Sequence, residues 1–287
     1  MLAAALIVFR EVFEAGLVIG IVLSATRGVP GRGAWVGGGV LGGLLGACVI
    51  AVFAGAIGDA LQGSGQEVLN GAVLLVAAGM LGWHMLWMST HGREMATDMR
   101  ALGRSVSEGS RTLAALAVVV GVAVLREGAE VVLFLYGLVA GGEGWLALGG
   151  GITAGLVGGS LVAALLYLGL VAIPTRRLFA VTNLLLGFLA AGMAAQGIGF
   201  LIQADLVSPL VPQLWDTSAV LDEKSLPGRA LHALVGYTDR PAGLQVLVYV
   251  VVLAALLLGA RAMRSGGRAS PSATGLQLRA SNRSTAP

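Results

Sequence analysis

Arg-Glu-Val-Phe-Glu at residues 10–14 and Arg-Glu-Gly-Ala-Glu at residues 126–130 are the two stretches that decide this fold. Both lie inside long apolar segments, where an ionisable side chain is costly and marks a functional or pairing role. In a helix, glutamates three residues apart share a face, and an arginine four residues before the second glutamate can pair with it. The sequence therefore predicts two helices that carry the same charged face into an apolar interior.

The composition around these stretches is that of a membrane protein. The chain has 287 residues, of which 56% are hydrophobic and 11% charged, and its mean hydropathy is +0.87. Soluble domains are typically about 25% charged. These values exclude a disordered chain, a nucleic-acid binder and an ordinary soluble enzyme. The single cysteine, Cys48, excludes a disulfide or a cysteine-based metal site within one chain, and we expect it to be a small core residue.

Seven apolar segments predict an all-α, polytopic protein with seven transmembrane helices, since a backbone in lipid must satisfy its own hydrogen bonds. The predicted spans are residues 2–26, 34–57, 68–89, 113–140, 145–173, 178–204 and 242–260. They form one domain, residues 1–264, followed by a polar tail, 265–287, which we expect to be disordered. Polar residues 92–110 predict a short surface helix, and residues 205–241 predict a long external loop.

Basic residues give the orientation, because cytoplasmic loops are enriched in arginine and lysine. Thirteen of them fall in the first, third and fifth loops and the tail, and three fall on the opposite side, all in residues 205–241. The N-terminus is therefore predicted outside and the C-terminus inside.

The two motifs also indicate an internal repeat. They are 116 residues apart, and this offset carries the third span into the sixth and the second into the fifth. Repeat one covers about residues 1–90 and repeat two about 113–205, with the seventh helix added outside the repeat. Because each unit has an odd number of spans, the units are inverted, an architecture that places the site of many transporters between them.

If the first and fourth helices cross, four carboxylates converge near the middle of the membrane, with two arginines beside them. The negative excess requires a cation or protons, and oxygen ligands suit Mg²⁺, Ca²⁺, Mn²⁺ or iron. Neither motif contains histidine or cysteine, which argues against a soft-metal site. One alternative is a pair of structural salt bridges, Arg10–Glu14 and Arg126–Glu130. Another is a membrane di-iron enzyme, but that class uses Glu-x-x-His pairs, and no histidine is near either motif in sequence.

At these residues the chain resembles the high-affinity iron permease family, which includes the fungal ferric permease and the bacterial Efe-type permease. The family signature is Arg-Glu-Gly-Leu-Glu, once in span one and once in span four of a seven-span fold. Residues 126–130 differ from it by one alanine, whereas residues 10–14 replace the central Gly-Leu by Val-Phe. Glycine permits close helix contact, so the first copy lacks that expected contact.

The resemblance implies which side chains handle iron. The metal ligands would be Glu11, Glu14, Glu127 and Glu130, with Arg10 and Arg126 organising them. Four further residues are candidates for the pathway, each with a simpler alternative: His84 as a core histidine, Gln196 and Gln203 as helix-bridging amides, and Asp216 as a solvated loop charge.

The predicted function is therefore import of Fe³⁺ or Fe²⁺ through a multi-pass permease of the plasma (inner) membrane. Iron is the transported substrate, and we expect no cofactor, no enzymatic activity and no nucleic-acid partner. By resemblance, an extracytoplasmic protein that oxidises or delivers iron would be a partner, and a homo-oligomer is left open. The alternatives are another metal, Mn²⁺ or Pb²⁺, and a membrane scaffold with structural ion pairs.

Overall fold

The computed structural model describes residues 1–60, 65–170 and 175–266. Most of these residues lie in helices, and none of them lies in a strand, as the sequence predicted. The helices are α1 (Leu2–Ala25), α2 (Arg32–Ala60), α3 (Gln66–Ser107), α4 (Leu113–Ala140), α5 (Trp145–Tyr167), α6 (Thr175–Gln203), α7 (Leu226–Val235) and α8 (Gly243–Gly266).

Five helices in the described part of the chain are long and apolar enough to cross a membrane: α2, α5, α6, α8 and the first half of α3. Helices α1 and α4 have 24 and 28 residues but carry three charged residues each, which distinguishes them from the other five.

Helices α1 and α4 occupy the middle of the bundle. Helix α1 packs mainly against α5, α4 packs mainly against α2, and α1, α3 and α4 contact one another. The Met1 amino group lies 2.9 Å from Glu143 Oε2, just beyond the end of α4, so the start of α1 and the end of α4 share one face. At the opposite face, the Ser107 hydroxyl at the end of α3 donates to the carbonyl of Ala25. Helices α1 and α4 are therefore antiparallel.

Glycines bring the outer helices close to this central pair. A Cβ on Gly43 of α2 would lie 2.6 Å from the carbonyl oxygen of Gly121 in α4. A Cβ on Gly155 of α5 would lie 2.8 Å from the carbonyl oxygen of Ala5 in α1. Only residues without a side chain at these points allow the backbones to approach so closely.

The structure differs from the sequence-based boundaries in α3. Residues 92–110 do not form a separate surface helix, because α3 runs unbroken for 42 residues to Ser107. Its last turns bury Leu102 and Val106 against Val22, Val36 and Leu116 from the ends of α1, α2 and α4. This apolar stripe keeps the polar-looking segment in the bundle.

The segment 205–241 contains a helix that the sequence analysis missed. Helix α7 begins after Ser225, whose hydroxyl accepts the Gly228 N–H at 3.1 Å, and ends at Gly236 with φ +69°. The sequence signal was there: an N-cap serine, a proline in the first turn and a glycine at the end. Gly236 packs directly on Gly192 of α6, so this segment is anchored to the bundle.

Two other sequence expectations concern the surface and the tail. Cys48 lies on the exposed side of α2, so its assignment to the core was wrong. Helix α8 extends to Gly266, beyond the predicted end at residue 260, and residues 267–287 of the predicted disordered tail lie outside the described residues.

Candidate metal site between α1, α3 and α4

The predicted charged motifs lie at the centres of α1 and α4 and face each other. The side chains of Arg10, Glu11, Glu14 and Glu127 are buried, and that of Glu130 is 15% exposed. Ligand atoms of Glu11, His84, Glu127 and Glu130 all lie within 4.8 Å of one another. The structure therefore brings three of the four predicted glutamates into one cluster, with Glu14 at its border.

His84 is the residue whose importance for the site the sequence analysis underestimated. It is buried on α3, where its Nδ1 contacts the Glu130 carboxylate and its Nε2 lies 3.8 Å from Glu14 Oε2. The statement that no histidine is near either motif holds in sequence and is wrong in space. An ionisable residue in an apolar span is by itself a signal for a functional site, and that signal could have raised its rank.

Arg10 neutralises two carboxylates of its own helix. Its Nη1 donates to Glu11 Oε1 at 2.8 Å, and its Nη2 lies 2.7 Å from Glu14 Oε1. The salt-bridge alternative gave Arg10 only one partner, Glu14, and left Glu11 unpaired. In the structure Glu127 is the motif glutamate that has no arginine within 4.0 Å among the described residues.

Arg126 has a different setting. Its Nε donates to Glu130 Oε1 at 3.2 Å, and its guanidinium lies 4.5 Å from the ring centroid of Trp87. The Arg126 side chain is 34% exposed, against 1% for Arg10. Both of its contacts border an open cavity of about 410 Å³ that is lined by α3 and α4 and reaches His84 and Glu130.

Several buried polar atoms of this cluster have no hydrogen-bond partner among the described residues. They include Oε2 of Glu11, Oε2 of Glu127 and the Nε2 atom of His84. Buried polar groups in folded proteins are almost always paired, and each exception needs an explanation. Oxygen and imidazole nitrogen atoms that converge without partners have the chemistry of a metal-binding site.

The remaining pathway candidates lie outside the cluster. Gln196 donates from Nε2 to the carbonyl of Gly141 at 2.7 Å, which ties α6 to the end of α4. Gln203 is exposed at the end of α6. This geometry matches the helix-bridging alternative for Gln196.

Asp216 lies in the segment between α6 and α7. It accepts hydrogen bonds from the Ser218 hydroxyl and N–H and pairs with Arg240 at 3.1 Å. The hydrogen bonds from Ser218, with the charge of Arg240, lower the pKa of the exposed Asp216 carboxyl below its ordinary value. Its oxygens are therefore already engaged within the loop.

Residues 1–268 match the sequence model of the iron permease FTR1 family. This chain belongs to that family. It is accordingly a multi-pass membrane permease and not an enzyme, and the predicted family resemblance is confirmed.

Curated relatives extend over nearly the full chain. The ferrous iron permease EfeU of Shigella sonnei is 31% identical over 274 residues, covering 93% of this chain and 98% of the relative. The protein of that name from Yersinia pestis is 30% identical over 259 residues, covering 88% and 90%. A relative from Escherichia coli K12, also 30% identical, is named a putative inactive ferrous iron permease. No solved structure matches this chain.

Proposed function

We propose that this chain imports ferrous iron through the cluster at the centre of α1, α3 and α4. The observation that carries the proposal is the convergence of Glu11, Glu127, Glu130 and His84 within 4.8 Å in the buried middle of the bundle. The relatives described above are named ferrous iron permeases.

The donor set supports the choice of valence. Carboxylates alone suit Mg²⁺, Ca²⁺ and Mn²⁺, whereas a mixed set of carboxylates and imidazole suits borderline metals such as Fe²⁺. We propose Glu11, Glu127, Glu130 and His84 as ligands. The two arginines offset part of the negative charge around them, and Glu14 pairs with Arg10.

We propose that α1 and α4 also cross the membrane. Together with the five apolar helices they give seven spans, and α7 does not cross the membrane. The lengths of α1 and α4 support this, at about 1.5 Å per residue, because 24 residues extend roughly 36 Å and exceed the hydrocarbon core. Most of their charged side chains are buried in the cluster, and Arg126 borders the cavity between α3 and α4, so lipid would meet mainly apolar faces. The excess of basic residues in the predicted cytoplasmic loops supports an orientation in the plasma membrane with the N-terminus on the outer side.

Paired contacts support the inverted repeat. Gly71 of α3 packs against Leu201 of α6, and Gly187 of α6 packs against Met85 of α3. With the 116-residue offset, Gly71 corresponds to Gly187 and Met85 corresponds to Leu201. Each of the two contacts is therefore the counterpart of the other.

The α2 and α5 contacts follow the same exchange with a shorter offset. Gly43 packs on Gly121 and Leu125, and their counterparts 116 residues earlier, Ala5 and Phe9, pack on Gly155. Gly155 is 112 residues after Gly43, so these two helices correspond with a shift of about one helical turn from the sequence-based offset.

The decisive experiment is uptake of radioactive Fe²⁺ into proteoliposomes, with Glu127→Gln beside the wild type and Glu67→Gln as a matched control. Glu67 is an exposed glutamate in the first turn of α3. Wild type and control should take up iron, and Glu127→Gln should lose at least about 100-fold in rate, as expected for loss of a ligand. Equal uptake by all three proteins would contradict the site.

A binding measurement separates permease from scaffold even when transport needs a delivering partner. Fe²⁺ should raise the Tm of the wild type and of the control, and not that of Glu127→Gln, because a ligand stabilises the state that binds it. A scaffold with structural ion pairs predicts no metal-dependent shift in any protein. Competition by Mn²⁺ and Pb²⁺ in the same assay tests the alternative substrates.

A further inference from the structure

A second cavity lies at the opposite end of α1 from the outer loops. It is open on one side, has a volume of about 620 Å³ and is bordered by the second half of α1, the end of α5 and the last turns of α3. Its mouth carries Arg100 and Arg104 of α3, and its walls include Gly16, Gly20 and Tyr167. We call it the inner cavity, because the proposed orientation places it in the cytoplasmic leaflet.

The charge at the mouth of the inner cavity is positive. Arg100 and Arg104 are exposed, one helical turn apart, and make no ion pair within the part of the chain that the structure describes. None of the residues that line the cavity is acidic. Two adjacent guanidinium groups repel a cation and bind a phosphate well, so this cavity is unsuited to release Fe²⁺.

The floor of the inner cavity is apolar. Below the arginines it is lined by Leu17, Ile21, Ala163 and Leu166. From Gly16 to Ala25 it follows α1 for ten residues, about 14 Å at 1.5 Å per residue. One leaflet of hydrocarbon is roughly 15 Å thick, so the depth of the cavity corresponds to that of one acyl layer.

We propose that the inner cavity binds one anionic phospholipid of the cytoplasmic leaflet. The phosphate lies between Arg100 and Arg104, and an acyl chain lies along the glycines of α1. Basic pockets between transmembrane helices on the cytoplasmic side are suited to such headgroups. A soluble anion would leave the apolar floor uncovered, and the tail of this chain is a poor occupant because residues 265–287 contain three arginines and no acidic residue.

The test measures lipid binding and involves no iron, so its failure would leave the proposed transport function untouched. The purified, delipidated protein is titrated with phosphatidylglycerol or phosphatidylcholine of identical acyl chains, and bound lipid is counted by native mass spectrometry. The variant is Arg100→Gln with Arg104→Gln. The matched control is Arg27→Gln with Arg111→Gln, which removes two exposed arginines outside the cavity.

Wild type and control should each retain one phosphatidylglycerol in preference to phosphatidylcholine. The cavity variant should bind it about 30-fold more weakly, as expected for two lost contacts with an anionic headgroup. Equal weakening in the control would show a diffuse surface charge effect and overturn the site. Unchanged binding by the cavity variant would also overturn it.

A second variant tests the apolar part of the inner cavity that would hold the acyl chain. It also covers the case in which the arginine variant does not fold. A Cβ on Gly20 would lie 3.6 Å from the Tyr167 ring, an ordinary contact, so Gly20→Ala should fold and bind lipid as the wild type does. Gly20→Leu fills this part of the cavity and should lose the lipid while both arginines remain. Retention of lipid by Gly20→Leu, or equal stabilisation by millimolar inorganic phosphate, would overturn the proposal of a lipid.

Discussion

The two copies of the Arg-Glu-x-x-Glu motif have the same charges and different surroundings. In the first copy Arg10 is fully buried and contacts both glutamates of its own helix. In the second, Arg126 contacts one glutamate, stacks on Trp87 and is one-third exposed at an open cavity. His84 adds a nitrogen donor beside Glu130. The comparison suggests that the first copy fixes the charge balance of the site and the second provides access to it.

The small residue that permits close packing belongs to the motif helix in the second copy and to the neighbouring helix in the first. Gly128 of the second motif packs on Ala47 of α2, where a Cβ would lie 2.6 Å from the alanine Cβ. At the corresponding place in the first motif, Val12 packs on Gly159 of α5. The missing glycine of residues 10–14 is therefore supplied by the neighbouring helix, and the expected lack of close contact at the first copy was wrong.

Replacing the two arginines should break the comparison most strongly. Arg10→Gln leaves two buried carboxylates without their cation and should cost about 3–5 kcal/mol of the free energy of unfolding. Arg126→Gln removes a partly exposed contact and should cost about 1 kcal/mol or less. Unfolding in detergent, followed by Tm and by loss of monodisperse protein, measures both. Equal losses would show that the two copies are equivalent.

Moving the glycine from α4 to α2 at the Gly128–Ala47 contact should test the packing comparison directly. Gly128→Val should destabilise the protein by about 2–3 kcal/mol, because its side chain meets Ala47. Adding Ala47→Gly recreates the Val12–Gly159 arrangement and should restore about 1 kcal/mol or more as a coupling between the two sites. The single change Ala47→Gly is the control. Additive effects in this double-mutant cycle would refute the packing argument.

Removing the imidazole should affect metal selectivity more than stability. His84→Asn should weaken Fe²⁺ binding about 10- to 100-fold and reduce the difference between the affinities for Fe²⁺ and Mn²⁺. The reason is that the site then has oxygen ligands and no imidazole nitrogen. Metal-dependent Tm shifts with each cation measure this. Met85→Leu, a conservative change at the next buried position of α3, is the control. A core histidine would instead alter the Tm without altering the ratio of the two metals.

The smallest effect is expected at Asp216, in the segment between α6 and α7. Its carboxylate is held by Ser218 and Arg240, so Asp216→Asn should change the KM for iron uptake by less than about twofold, the scale of a screened surface charge. Since its folded-state pKa is lowered, its hydrogen bonds stabilise the loop above pH 3.8 and are lost as the pH falls through the lowered pKa. Loop protection in hydrogen exchange should therefore be equal at pH 7 and pH 5. A large rise in KM would instead assign Asp216 to the pathway.

The sequence by itself determined the helical membrane class, the family and the positions of the charged motifs, because apolar length and spacing within one helix are local properties. It also placed Arg10–Glu14 and Arg126–Glu130, which are pairs within single helical turns. Helix boundaries failed where a distant apolar surface extended α3 to Ser107. Only the tertiary structure places His84 beside the glutamates, leaves Glu127 with no arginine within 4.0 Å among the described residues, and packs Val12 against Gly159. These contacts join helices far apart in sequence, and only the packing of the bundle fixes which faces meet.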